Sequence, residues 1–200
     1  MTIESHVYFS QASMTTIERV QRRQLIQTAE GYLDLIMAFD DRWPLDMEQR
    51  EVLAQHALDA LNQIKTPLGH KPYILFLKGQ ASRAINDYRK AVHYLQQSAQ
   101  LDPDNIHTFL ALGWCYKRMD RTDLAIESME TAIQIDCESA IAHYNLACYW
   151  AIAGQVKLAV LHLTNAFDLN PEYREFVDAE SDFDPIREDP DFVASLDMIV

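Results

Sequence analysis

The chain predicts an all-α fold, a solenoid of antiparallel helical pairs, on three observations. An internal period of 34 residues runs without a gap through Pro72–Asn105, Ile106–Ser139 and Ala140–Tyr173. Hydrophobic residues make up 48% of the 200, ample for a continuous core. Glycine (5) and proline (7) are too few for the many tight turns of a strand-rich fold, which favours helices joined by short loops.

Each period reads as two helices. Small residues recur at Gly79, Gly113 and Ala147, at Ala91, Ala125 and Ala159, and at Ser98, Ala132 and Ala166, where two helices must cross closely. Large apolar residues fill Leu95, Met129 and Leu163, then Leu101, Ile135 and Leu169. In the middle unit Phe109, Leu112, Gly113 and Tyr116 fall at i, i+3, i+4 and i+7, one face of a helix. Asp102, Asp136 and Asn170, followed by Pro103, Cys137 and Pro171, close the units, since proline cannot continue a helix.

This column chemistry resembles the tetratricopeptide repeat. The middle unit supplies Phe109-x2-Leu112-Gly113-x2-Tyr116 and then Ala125-x3-Met129. The third supplies His143-x2-Leu146-Ala147-x2-Trp150, Ala159-x3-Leu163 and Pro171. The first departs most, with Lys78 in the column of Leu112 and Leu146 and Ser82 in that of the large aromatic, so a looser contact is expected there, compensated by Leu75 and Leu77. The resemblance implies a right-handed superhelix of helix-turn-helix units with a concave groove lined by the first helices.

Residues 1–14 read as a flexible N-terminal arm. Residues 15–71 read as a degenerate helical hairpin, with stripes through Ile17, Val20, Leu25, Thr28, Tyr32, Leu35, Ile36 and Phe39 and through Leu53, Ala57, Ala60, Leu61 and Ile64. An insertion at about 38–55 separates them; Trp43 within it is expected to close the corner between the helices, and the second helix to begin near Asp46. Residues 174–200 read as acidic capping helices, similar to the end-of-array segment of bacterial tetratricopeptide proteins. Asp184-Pro185 and Asp189-Pro190 mark helix starts, and Phe183, Ile186, Phe192 and Leu196 an apolar face laid over the last repeat.

The formal charge of -13 argues against nucleic acid, whose phosphates call for a basic stripe. Much of the acid is local: Glu172 to Asp197 holds ten carboxylates against Arg174 and Arg187. No apolar run reaches the ~20 residues of a membrane span. Three scattered cysteines, Cys115, Cys137 and Cys148, form no disulfide framework and suit a reducing cytoplasm. The glycines are never clustered into a phosphate loop, and neither a nucleophile elbow nor a metal-spaced Cys/His set occurs, so no catalytic residue, metal ligand or cofactor is predicted and the chain is not read as an enzyme. His143 is read as a histidine at the edge of the core.

The candidate site comes from what the packing stripes leave over. The resemblance places Tyr73, Phe76, Gln80 and Arg83, then His107, Leu110, Trp114 and Lys117, then Ile141, Tyr144, Cys148 and Ala151 along the groove. A helix with one buried stripe should show water polar residues elsewhere, so Phe76, Leu110, Trp114 and Tyr144 are surplus apolar material, and aromatics beside Arg or Lys are what a protein-binding hot spot looks like. The carboxylate clamp of some tetratricopeptide proteins is absent: Phe76, Gln80, Ala111, Ile141 and Asn145 stand at its positions, and only Asn145 fits. The expected function is an adaptor or scaffold holding a protein or peptide, favouring hydrophobic segments or helices, with a client-holding chaperone as the alternative. Occupation of the groove by Val7-Tyr8-Phe9 or by a second copy of the chain stays open.

Overall fold

The computed structural model describes residues 16–38, 45–64 and 71–197, and every regular element among them is helical. The expectations for Val7-Tyr8-Phe9, Phe39 and Trp43 lie outside the described residues. The chain divides into two compact units, 1–70 and 71–200.

In the first unit α1 (Thr16–Ala38) packs on α2 (Met47–Asn62). Helix α2 starts where a capping box starts it: Asp46 Oδ1 accepts from the Gln49 N–H at 2.8 Å and Gln49 Oε1 from the Asp46 N–H at 3.1 Å, satisfying two of the donors a helix N-terminus leaves open. The second stripe buries as its period predicts, through Ala57, Ala60, Leu61 and Ile64. The α1 stripe differs. Its buried residues are Ala29, Leu33 and Ile36, whereas Ile17 is 68% exposed, and Val20, Thr28 and Leu35 are exposed as well. The residues spaced i, i+4, i+7 that meet α2 form a narrower face than the run of apolar residues suggests.

The second unit stacks three pairs: α3 (Lys71–Ala84) with α4 (Tyr88–Leu101), α5 (Ile106–Arg118) with α6 (Thr122–Ile135), and α7 (Ala140–Ile152) with α8 (Val156–Leu169). Helix α4 packs on α5 and α6 on α7, so each pair leans on the next. The turn within every pair is the same. Asn86 (φ 59°), Asp120 (φ 56°) and Gly154 (φ 70°) occupy one column in the left-handed conformation. The N–H of the following residue reaches back to the first helix, from Asp87 to Ser82 O at 3.0 Å, Arg121 to Tyr116 O at 3.0 Å and Gln155 to Trp150 O at 2.9 Å. That is the Schellman closure, which favours Gly or Asn at its left-handed position.

The small columns work as close approaches. A Cβ added at Gly79 would stand 2.7 Å from Leu95 Cγ, and one at Gly113 2.5 Å from Met129 Cε. Ala91, Ala125 and Ala159 are fully buried opposite them. In the first pair the departures from the repeat pattern are absorbed locally. Ser82 Oγ donates to Lys78 O at 2.9 Å, the Lys78 ammonium lies 5.9 Å from the Tyr94 ring centre, and Leu75 and Leu77 are buried.

After α8 the chain makes a 3-10 turn at Pro171–Tyr173, the one-turn α9 (Arg174–Val177), a 3-10 segment at Ser181–Ile186 and α10 (Pro190–Asp197). Asp189 caps α10, its Oδ1 accepting from the Asp191 N–H at 2.9 Å. Asp184-Pro185 differs from the expected helix start: it lies inside the 3-10 segment, and the Asp184 carboxylate takes the Arg187 guanidinium at 3.0 Å. Arg187 also donates to Glu180 O at 2.9 Å, so one side chain closes the whole turn. Phe183, Ile186 and Phe192 are buried, joining the core of the last two pairs.

Candidate interaction surface

The first helices α3, α5 and α7 present the same columns at 34-residue intervals, yet the structure treats them differently along the array. At the proximal end Tyr73 is 40% exposed and lies 6.2 Å, ring to ring, from the half-buried Phe76 at 18°. His107 is exposed and Leu110 half-buried. Gln80 is half-buried, and its Oε1 is covered without a hydrogen-bond donor among the described residues.

Trp114 is not an open handle. The Arg83 guanidinium lies 5.0 Å from its ring centre, the Arg118 guanidinium 5.1 Å, and the Tyr88 ring meets it edge-on at 5.6 Å. Two cations and an aromatic edge use the faces that a ligand would need, so the indole knits α3, α4 and α5 together and is half-buried.

The distal end is covered by the chain itself. Tyr144 is 6% exposed and Cys148 2%. Tyr144 packs 4.9 Å from Tyr173 and edge-on at 5.9 Å from Phe183, both from the segment after α8. Lys117, expected along an open groove, pairs with Asp182 of the same segment. Asp182 is held in place by its own N–H, which donates to Glu180 Oε1 at 3.1 Å. Ile141, at the start of α7, remains 45% exposed. Of the columns expected to line one continuous groove, the structure thus gathers Tyr73 with Phe76, ties Arg83 to Trp114, and places Lys117, Tyr144 and Cys148 under the tail.

The electrostatics beneath the tail are those of a buried, acid-flanked pocket. Cys148 Sγ and the carboxylates of Glu180 and Asp182 lie within 4.8 Å of one another, with the Lys117 ammonium answering part of the charge. Burial first, and then the negative field of Asp182 and Glu180, hold the Cys148 thiol far above the usual range. Burial first, and then the neighbouring Cys148 and the carboxylates of Glu180 and Asp182, raise the Tyr144 hydroxyl, which has no hydrogen-bond partner among the described residues. Burial pushes the Cys115 thiol up to about 11. Both buried thiols stay protonated and are poor nucleophiles.

His143 is buried, as a core-edge histidine should be, and it is paired. Its ring stacks at 5.3 Å on His162 of α8, with Nδ1 to Nδ1 at 3.1 Å, and its Nε2 lies 3.3 Å from Cys137 O. The consistent proton arrangement has His143 Nε2–H donating to the carbonyl and His162 Nδ1–H donating to His143 Nδ1. Burial, reinforced by the neighbouring His143, pulls His162 down to about 4.

The sequence marks Phe183, Ile186 and Phe192, all buried, as one apolar face, but not that the tail lies over Lys117 and Tyr144. The available signal is complementarity: an Asp-Phe pair in the tail matches a Lys and a Tyr one helix apart in the repeat columns.

The profile of the tetratricopeptide repeat family matches residues 72–105, and a second profile of that family matches 106–136. Among solved structures, one of MamA is 18% identical with a TM-score of 0.56, covering 82% of this chain and 99% of that one. A MamA from MSR-1 is 18% identical with a TM-score of 0.55, covering 80% and 99%. An O-GlcNAc transferase of Thermobaculum terrenum is 24% identical with a TM-score of 0.50 over 55% of this chain and 21% of that one. At these identities the likeness is one of fold. No curated protein sequence matches. Among the described residues no helix is long and apolar enough to cross a membrane.

Proposed function

We propose, from the premise that this chain is a tetratricopeptide-repeat protein, that it is an adaptor or scaffold holding a segment of another protein along the first-helix face of its first two repeats. The observation that carries this reading is the contrast between equivalent columns. Tyr73, Phe76 and Leu110 keep apolar surface accessible on α3 and α5, whereas Tyr144 on α7 is sealed by the chain's own tail. Apolar and aromatic side chains beside guanidinium groups are the composition of interface hot spots. All three cysteines are free, which supports a reducing compartment such as the cytoplasm.

The test is partner capture from the native host with Tyr73→Ala and Leu110→Ala combined. Tyr73 is exposed and Leu110 half-buried against the core, so the double variant should lose about 1–2 kcal/mol of stability yet keep its helical circular dichroism, while the co-purifying proteins are lost. Recovery of the same proteins by the double variant would exclude this face as the binding surface.

A further inference from the structure

Beneath the tail, three groups with metal-ligand chemistry converge from two distant stretches of chain. Cys148 Sγ comes from α7, and one oxygen each of Glu180 and Asp182 from the turn that leads into the 3-10 segment, all within 4.8 Å of one another. Two observations mark the place as a cation site rather than a chance gathering of acid. The first is charge. Two carboxylates meet one ammonium, that of Lys117, so the cluster keeps an uncompensated negative charge while Cys148 holds its proton. Only 12% of the Asp182 side chain is exposed, and charge withdrawn from water calls for a counter-ion. The second is the Tyr144 hydroxyl. Tyr144 is 6% exposed, its oxygen has no hydrogen-bond partner among the described residues, and the groups whose charge it feels first are Cys148, Glu180 and Asp182. Buried hydroxyls are as a rule hydrogen-bonded, and this one is aimed at the cluster.

We propose that Cys148, Glu180 and Asp182 form a site for one divalent cation of the zinc class, which competes with Lys117 for Asp182 and clips the tail to α7. The proposal is independent of the scaffold reading, since it concerns how the distal end is closed. A sulfur with two carboxylate oxygens suits a borderline or soft cation such as Zn2+ or Cd2+, whereas Mg2+ and Ca2+ take oxygen alone. Tetrahedral coordination at ordinary Zn–S and Zn–O lengths puts ligand atoms about 3.5 Å apart, so the widest pair closes by roughly 1 Å. That movement falls on the turn at Glu180 and the exposed Ser181, outside the packed helices. Binding takes the proton from the Cys148 thiol and releases it to solvent. The two charges of the cation then answer the thiolate and the excess carboxylate charge. Three protein ligands leave a fourth position to water, and the Tyr144 hydroxyl is the group at hand to hydrogen-bond with it. Lys117, whose side chain is 24% exposed, has solvent to turn into.

The probe is Cd2+, titrated into the full-length chain carrying Cys137→Ser, which removes the exposed thiol. One ion per chain is expected, with the ultraviolet absorption of a sulfur-to-cadmium bond; Zn2+ should displace it and excess Mg2+ should not. Because uptake releases a proton, affinity should rise with pH. The absorption should vanish in Cys148→Ala. Glu180→Gln, Asp182→Asn and Tyr144→Phe should each weaken uptake roughly tenfold, with helical circular dichroism unchanged. Lys117→Gln should tighten it by about the same factor, because the ammonium no longer competes for Asp182. Phe183 and Phe192, both fully buried, keep the tail docked without that ion pair, and a gain in affinity is a result that misfolding cannot imitate. Absence of the sulfur absorption, absorption that survives Cys148→Ala, or unchanged or weaker uptake by Lys117→Gln would each overturn the proposal.

Discussion

The first and last helical pairs of the 34-residue array share a column pattern and a turn geometry, yet one leaves Tyr73 on its first helix exposed and the other has Tyr144 sealed. The difference lies beyond the repeats, in sixteen residues of tail from Ser181 to Leu196 that supply Asp182, Phe183, Ile186 and Phe192 to the distal end. The lesson is that column position sets where a side chain points, while the downstream chain sets whether anything else can reach it. A repeat consensus therefore identifies lining positions without identifying vacant ones.

The comparison breaks most directly at Phe183. The ring is fully buried against Tyr144 and Phe192, and Phe183→Ala should cost about 3–5 kcal/mol of tail docking. Hydrogen exchange is expected to accelerate across residues 181–196 as the Phe183 side of Tyr144 is uncovered, with Tyr173 still packed on its other side; unchanged protection there would show that the tail is held by other contacts.

Gly79→Ala sharpens the comparison from the other end, because it installs in the first repeat the residue that Ala147 already supplies in the third. The new Cβ meets the branch point of the fully buried Leu95, so overpacking of about 1–3 kcal/mol exceeds the roughly 1 kcal/mol gained from helix propensity. Gly113→Ala is expected to cost less, since its closest obstacle is the flexible methyl end of Met129, although Met129 is fully buried and the Ala125 carbonyl stands 3.3 Å away. Urea midpoints of the two variants should separate; equal values would mean that the helix pairs breathe enough to absorb a methyl group anywhere along the array.

The smallest effect belongs to the histidine pair, a feature of the third repeat. His162 falls from 6.5 to about 4 on folding, so between those values the unfolded chain binds a proton that the folded chain refuses. Its contribution to stability is complete above about pH 6.5 and is lost progressively toward pH 4, amounting to about 1 kcal/mol after allowance for its partial exposure. Urea unfolding at pH 7 and pH 4.5 should show a smaller drop for His162→Gln than for wild type, and an identical drop would remove the pair from the pH response.

Much of the fold is legible in the sequence because the stacking constraint repeats. Gly79 and Gly113, the buried alanine column and the left-handed turn all answer one steric demand three times over, and three coincidences at a fixed spacing stand out from noise. Helix α1 is less legible: apolar Ile17, Val20 and Leu35 suggest a wider face than α2 covers, and a single hairpin offers no second copy to correct the reading. The site is legible by column but not by environment. Trp114 reads as surplus because its partners Arg83, Arg118 and Tyr88 sit on three different helices or helix ends, a convergence that no local spacing encodes. Tyr144 and Lys117 read as open because their partners lie roughly forty and sixty-five residues downstream, outside any periodic window.

The tail's anchors on Lys117, Tyr144 and α8 all belong to the last two repeats. Array length is therefore a free parameter. A copy of Pro72–Asn105 entering between Asn105 and Ile106 would lengthen the row of first helices without disturbing the tail. The same copy entering between Ser139 and Ala140 would put the counterpart of Arg83, in place of Lys117, beside Tyr144 and change the cation that Asp182 meets. Lineages carrying longer versions of this array should accordingly have grown upstream of the final two units.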